Sequence, residues 1–256
     1  MKNYINRLFA GTKKWELAIW WAFRLVMIGA MISLLFRDPP SDLPRVQMFL
    51  QLFANFAAMF VWEILQLFPE KSCLRHIPAY CQTILTLGVF LASFGGAFMN
   101  FYYSISLWDT ILHFTGGAGA VFFGYEIVTA MQKRDKIKCS VPIILWWALG
   151  FSFLASTAWE LFEFTFDQIA GGDSQHWSYA LAEAANDTKT FFPVRDPSRF
   201  ALMDTMTDMV FNTIGAAVFY VFIKIWPYHH KGKNDVNEMF DDAAESKPVE
   251  KEAVTK

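Results

Sequence analysis

The 256-residue chain is 54% hydrophobic, 18% aromatic and 18% charged, with 27 Phe, 10 Trp and a formal net charge of −2. Soluble domains balance apolar and charged residues more evenly, so this composition argues against one. No basic stripe interleaved with aromatics is present, which excludes nucleic-acid binding as a function class.

Taken in chain order, residues 1–14 carry Lys2, Arg7, Lys13 and Lys14 and read as a basic lead on the membrane surface. The apolar run that follows is too long for a signal peptide, and no small-residue cleavage site succeeds it. It is therefore expected to stay as a first transmembrane helix, 15–36, stopped by Asp38-Pro39-Pro40. Further helices are expected over 46–68 (ended by Pro69), 78–99, 107–131, 141–167 (stopped by Gly171-Gly172) and 200–226. Each is about twenty residues or more, enough to cross roughly 30 Å of hydrocarbon at about 1.5 Å per residue. A long connection spans 170–199. Residues 228–256 are polar and charged and read as a disordered cytoplasmic tail. The fold class expected is thus an all-α integral membrane protein, a six-transmembrane-helix bundle occupying residues 15–227. Cys73, Cys81 and Cys139 have no metal-type spacing.

Loop charges set the orientation. The lead, Lys71 and Arg75, the run Lys133, Arg134, Lys136 and Lys138, and Lys224, Lys231 and Lys233 fall on one side. The opposite side holds Arg37, Arg45 and, within a long loop, Lys189, Arg195 and Arg199. Both termini are accordingly expected in the cytoplasm of a bacterial plasma membrane.

Against this apolar background three polar pairs stand out. They are Asp109 with His113, Glu160 with Glu163, and Asp204 with Asp208, the last followed by Asn212. Spacings of three or four place each pair on one helix face. Ionisable groups in hydrocarbon are costly and mark functional sites. In the expected topology the fourth helix enters, the fifth leaves and the sixth re-enters at the outer boundary. All three pairs then lie within roughly 10–12 Å of it. Gly116, Gly117, Ala120 and Gly124 extend the Asp109–His113 face with small residues suited to close packing. Ser152, Ser156 and Asp167 extend the glutamate stripe.

Carboxylates that crowd together must hold protons, pair with cations or bind a metal. Oxygen donors with one imidazole suit a divalent ion such as Zn, Mn, Fe or Mg. The expected ligands are Asp109, His113, Glu160, Glu163, Asp204 and Asp208, with Glu160 or Glu163 alternatively serving as a general base. Asn212 would orient a ligand. Arg195 and Arg199 would hold an anionic group of a substrate, and His176 in the outer loop would reach the same site. The alternatives are bland ones: helix-end caps, headgroup contacts by the arginines, or a structural polar network. Arg24, Glu63 and Glu126 lie inside apolar segments. Snorkelling to the inner interface is the expected reading, against an ion pair of Arg24 with one of the two glutamates.

The order Asp109, His113, Phe114, then Glu160, then Arg195 or Arg199, then Asp208, Asn212, Gly215 and Ala216 resembles the VanZ-like membrane family. Glu163, Asp204 and Gly116-Gly117 make the chain more similar to the YjdF-like inner-membrane proteins. It departs from the VanZ-like pattern at Thr110, where that family usually has Lys, and at Glu163, where the usual second-helix pattern is Glu with a later Gln. Some VanZ-like members are linked to glycopeptide resistance, a phenotype not carried over to this chain. The function expected is a metal-binding site on the extracytoplasmic face acting on a lipid or lipid-linked envelope substrate. Its partners would be membrane lipids and an anionic or lipid-linked small molecule. The alternatives are a cation- or proton-coupled transporter and a non-catalytic envelope-stress or scaffold protein.

Overall fold

The structure, a computed structural model, describes residues 2–39, 43–135, 139–172, 174–175 and 199–225. It is all-α. In chain order the helices are α1 (Lys2–Gly11), α2 (Lys14–Ser33), α3 (Arg45–Ala58), α4 (Val61–Leu65), α5 (Ala79–Phe90), α6 (Phe101–Ser104), α7 (Trp108–Asp135), α8 (Val141–Ala170) and α9 (Phe200–Ile225). A 3₁₀ turn, Cys73–His76, precedes α5, and a π-helical segment, Leu91–Phe98, prolongs it. Among the described residues, five helical stretches are long and apolar enough to cross a membrane: Lys14–Ser33, Ala79–Phe98, Trp108–Gln132, Val141–Ala170 and Phe200–Ile225. Their outward faces carry Trp21, Leu25, Trp146, Leu154, Leu161 and Val218, all exposed. Large apolar side chains pointing out of a bundle are what lipid contact requires. The expected tail 228–256, His176 and Arg195 lie outside the described residues.

The two largest apolar clusters among the described residues organise the bundle. Met27, Leu34, Met48, Leu52, Met59 and Phe98 join α2, α3 and the π segment, while Val121, Tyr125, Leu145, Ala148, Ala216 and Ile223 join α7, α8 and α9. The second unit packs through missing side chains. A Cβ on Gly117 would lie 2.0 Å from the Asn212 carbonyl oxygen, and one on Gly124 2.8 Å from the Ala148 Cα. Ser152 Oγ donates to the Gly117 carbonyl at 3.0 Å and fixes the register of α8 on α7. Of the small-residue face expected on this helix, Gly117 and Gly124 provide the closest approaches.

The second expected helix, 46–68, is not continuous. It breaks at Met59-Phe60 into fourteen residues (α3) and five (α4). The cause comes from α5. Gln82 Nε2 donates to the Met59 carbonyl at 2.6 Å, and Gln82 Oε1 accepts the Trp62 N–H at 2.7 Å. A side chain inserted into the helical ladder is a recognised cause of such a kink. It also meets the rule that backbone polar groups at membrane depth find protein partners. Gln82→Leu is expected to strand the Trp62 N–H and to cost about 1–3 kcal/mol. Thermal unfolding in detergent should show the loss; an unchanged midpoint would mean the break does not depend on this amide.

Arg24 does not snorkel. It is 1% exposed, and its Nη2 donates to Glu63 Oε1 at 2.6 Å and to the Met59 carbonyl. The pair with a glutamate is therefore the arrangement adopted, and Glu63 is the partner. Glu126 is also buried.

Candidate metal centre

The site forms where α7 begins, α8 ends and α9 begins. Leu107, with φ of 60°, turns the chain into α7 immediately before Trp108 and Asp109. A bulky residue in the left-handed region is costly, so this turn is held by its surroundings. At the end of α8, Gly171 adopts φ of 66°. Asp167 accepts the backbone N–H groups of Ser174 at 2.8 Å and Gln175 at 2.9 Å, and Gln175 Nε2 donates to Thr205 Oγ1 at 2.8 Å. Asp167, one member of the polar stripe on α8, thus ties the end of α8 to α9.

His113 Nε2 lies 3.3 Å from Asp109 Oδ1, one turn earlier on α7, and 3.6 Å from Asp208 Oδ2 on α9. One ligand atom from each of these three residues falls within 4.8 Å of the others. His113 and Asp208 are buried, and Asp109 is about one-third exposed. This is a buried Asp/His/Asp cluster able to chelate a divalent metal.

The far ring nitrogen bears on that ability. Asn212 Nδ2 lies 3.0 Å from His113 Nδ1. In this arrangement the amide donates, and the imidazole proton sits on Nε2, directed at the carboxylates. Turning the amide over presents Oδ1 instead, moves the proton to Nδ1 and frees the Nε2 lone pair for a metal. The two orientations occupy the same space, so a single rotation of Asn212 converts a hydrogen-bonded triad into a ligand set. Outer-shell partners of ligating histidines act in this way. One imidazole and two carboxylates at this spacing, with the Asn212 amide behind the ring, fit a divalent ion.

The other expected site residues occupy distinct places around this core. Glu160 and Asp204 are buried, while Glu163 is half-buried. His113 interacts electrostatically with Asp109, Glu160 and Asp204, and Asp208 with Asp109, Asp204, Glu163 and Glu160. The three pairs therefore share one neighbourhood, though only three residues share one coordination shell. A cavity of about 60 Å³ opens beside them, lined on this side by Asp109, Glu163, Asp204, Asp208 and Trp159, and on the other by Gln51, Asn55 and Tyr102. A water needs roughly 10–15 Å³ of such space, so the cavity holds several. Glu163 faces it and Glu160 does not. Arg199 stands exposed just before α9 and is not part of the lining.

Tyr102 was missed at the level of sequence. It reaches the acids because Asn100 reverses the chain with φ of 62° and because Gly96 leaves room for its ring. A Cβ on Gly96 would lie 2.3 Å from Tyr102 Cε2. Burial, reinforced by the charges of Asp109, Glu163, Asp208 and Asp204, holds its phenol well above the usual tyrosine range. It therefore stays a neutral hydroxyl beside the cavity. The signal was the Gly95-Gly96 pair ahead of Tyr102-Tyr103. The π turn and the reversal at Asn100 that bring them together have no pattern in the sequence.

The chain matches a family described as Predicted membrane protein (DUF2238) over residues 19–229. A Thermotoga maritima protein described as "Uncharacterized protein" is 31% identical over 156 residues, which is 61% of this chain and 66% of that protein. The chain thus spans just under two thirds of that relative's length. No solved structure matches the chain significantly. The family match covers most of the chain, including every helix that contributes to the centre, so this is a multi-pass membrane protein, consistent with a bacterial plasma-membrane location, and it belongs to the DUF2238 family.

Proposed function

We propose that the protein is a plasma-membrane metalloprotein whose Asp109–His113–Asp208 centre opens on the extracytoplasmic face and acts on a lipid or lipid-linked envelope substrate. The observation that carries this reading is the convergence of one imidazole and two carboxylates from two helices at the edge of a polar cavity. The distribution of Lys and Arg supports six crossings with cytoplasmic termini, α3 and α4 together making the broken sixth. That orientation turns the cavity outward. The residues that carry the resemblance to VanZ-like and YjdF-like proteins include Asp109, His113 and Asp208, the three that converge, and Asn212 beside them.

A divalent ion held there would supply Lewis acidity. The chain's own residues supply the rest. Asn212 fixes the His113 tautomer, Asp204 adds negative charge next to the centre, and Glu163 faces the cavity as the acceptor for a proton taken from water or substrate. The Tyr102 hydroxyl orients what enters. Arg199 and Arg195 would hold an anionic headgroup at the mouth, with His176 above the centre. The apolar layer of Val121, Leu145, Ala148 and Ala216 lies about two to three turns further in and weighs against a continuous cation relay.

Detergent-purified protein stripped with chelator and dialysed against Zn²⁺ or Mn²⁺ is expected to rebind metal stoichiometrically. His113→Ala and Asp208→Asn should lose that binding while keeping their helical circular dichroism. Asn212→Leu should weaken it by roughly 10–100-fold. Folded wild-type protein that takes up neither ion would overturn the proposal. Asp109→Asn that unfolds instead of losing metal would favour a purely structural network.

A further inference from the structure

The three-residue centre leaves one buried acid unexplained. Glu160 is 6% exposed, and neither of its carboxylate oxygens makes a hydrogen bond among the described residues. Thr205, on α9, interacts with it, but this hydroxyl already accepts from Gln175 Nε2 at 2.8 Å and makes no hydrogen bond of ordinary geometry to either oxygen. One turn along α8 toward the bundle interior, Ser156 is 7% exposed, and its Oγ is likewise without a partner. A buried carboxylate with both oxygens unpartnered is among the costliest arrangements a protein interior can hold, and each such group in a native fold calls for an explanation.

The register of α7 and α8 says where these groups point. Ser152 Oγ bonds the Gly117 carbonyl. The helices are antiparallel, so one turn toward the centre Ser156 comes level with His113, and one turn further Glu160 comes level with Asp109. Among charged neighbours, His113 exerts the largest effect on Glu160. Glu160 and Ser156 therefore sit beside the imidazole, on α8, whereas the first ion's ligands come from α7 and α9. Asp208 contributes one oxygen to that first set, and a carboxylate has a second oxygen with which it can bridge two ions. Bridging by a carboxylate between ions roughly 3.5–4 Å apart is the arrangement that helical bundles and two-metal hydrolases use.

We infer that the centre is binuclear, with a second divalent cation held by Glu160, assisted by the Ser156 hydroxyl and bridged to the first ion through Asp208. This rests on the metal-binding reading proposed above and deepens it. The α8 helix then contributes a ligand of its own, and all three polar pairs take part in ion binding or in the chemistry beside it. Two ions side by side, the first at the cavity edge and the second enclosed behind it, would form a paired electrophile matched to phosphoryl or acyl oxygens, the groups that lipid-linked envelope intermediates present.

The test uses full-length protein in detergent, stripped and then titrated with Mn²⁺, with stoichiometry and electron paramagnetic resonance read together. Two Mn²⁺ per chain with an exchange-coupled signal are expected. Glu160→Gln, which removes the charge and preserves the shape, should bind one ion and show only the uncoupled six-line spectrum. One ion in wild type would overturn the second site and leave the first intact. No ion would sink both readings. Two ions without coupling would place the second elsewhere and overturn this inference. The wild-type spectrum decides the matter even if Glu160→Gln fails to fold.

Discussion

Gly215→Ala is expected to push α7 and α9 apart and to abolish metal binding without altering any ligand. A Cβ at this position would stand 1.9 Å from the Phe114 carbonyl oxygen and 2.8 Å from its carbon. The obstacle is backbone, so no side-chain rotation relieves it. Gly117 makes the reciprocal approach, its Cβ position lying 2.0 Å from the Asn212 carbonyl oxygen. Both contacts adjoin the His113–Asn212 hydrogen bond, at Phe114 and Gly117 on α7 and at Asn212 and Gly215 on α9. Restoring ordinary contact requires a separation on the order of 1 Å, and overpacking of this kind costs about 1–3 kcal/mol or more. The same displacement draws Asp208 and Asn212 away from His113. Gly116→Ala is the control. Its Cβ would meet Asn212 Oδ1 at an ordinary 3.6 Å, and the gain in helix propensity of up to about 1 kcal/mol should leave it neutral or slightly stabilised. Thermal unfolding and Zn²⁺ titration of Gly215→Ala, Gly117→Ala and Gly116→Ala distinguish these cases. Equal behaviour of all three would contradict the packing described for α7 on α9.

The contrast between Gly116 and Gly117 shows where a sequence stops being legible. Both belong to a small-residue face, and periodicity alone gives them equal weight. Which one meets a backbone depends on the crossing point of two helices separated by almost a hundred residues. The polar pairs were legible for a simple physical reason: an ionisable group inside a twenty-residue apolar run has a large desolvation cost and stands out. Their division of labour was not. Asp109, His113 and Asp208 meet in one shell, Glu163 turns to the cavity, and Glu160 stays enclosed, because rotation about each helix axis decides these outcomes. The break at Met59-Phe60 was illegible for a related reason. The segment 46–68 contains no Pro or Gly, and the agent, Gln82, acts from another helix. Arg24 lies between these extremes. Its rarity in a membrane helix marked it, but the choice between Glu63 and Glu126 required the fold.

That ion pair also carries a large share of the stability of this half of the bundle. Arg24→Ala is expected to destabilise the protein by about 3–5 kcal/mol, the loss associated with leaving one partner of a buried pair uncompensated. The guanidinium is enclosed by aromatic rings, with Phe60 at 3.9 Å, Trp21 at 5.4 Å and Trp20 at 5.7 Å from its carbon to the ring centroids. It also stabilises the carbonyl freed at the helix break. Removing it therefore leaves Glu63 charged without a counter-ion, weakens the cap on Met59 and opens a cavity among three aromatics. Charge and packing can be separated. Arg24→Met with Glu63→Leu removes both charges and refills the volume, and buried pairs replaced in this way often cost little or even gain stability. The double variant should thus unfold closer to wild type than Arg24→Ala does, with Gln82 still satisfying the Met59 carbonyl at 2.6 Å. If the double variant is as unstable as the single one, the pair acts through its hydrogen bonds to the break and not through charge compensation. Metal binding provides an internal control, because the hydrogen bonds and ring contacts of Arg24 among the described residues go to Met59, Phe60 and Glu63 at the α3–α4 break and to Trp20 and Trp21 on its own helix. A folded Arg24 variant should bind Zn²⁺ with wild-type affinity, which separates damage to this half of the bundle from damage to the centre.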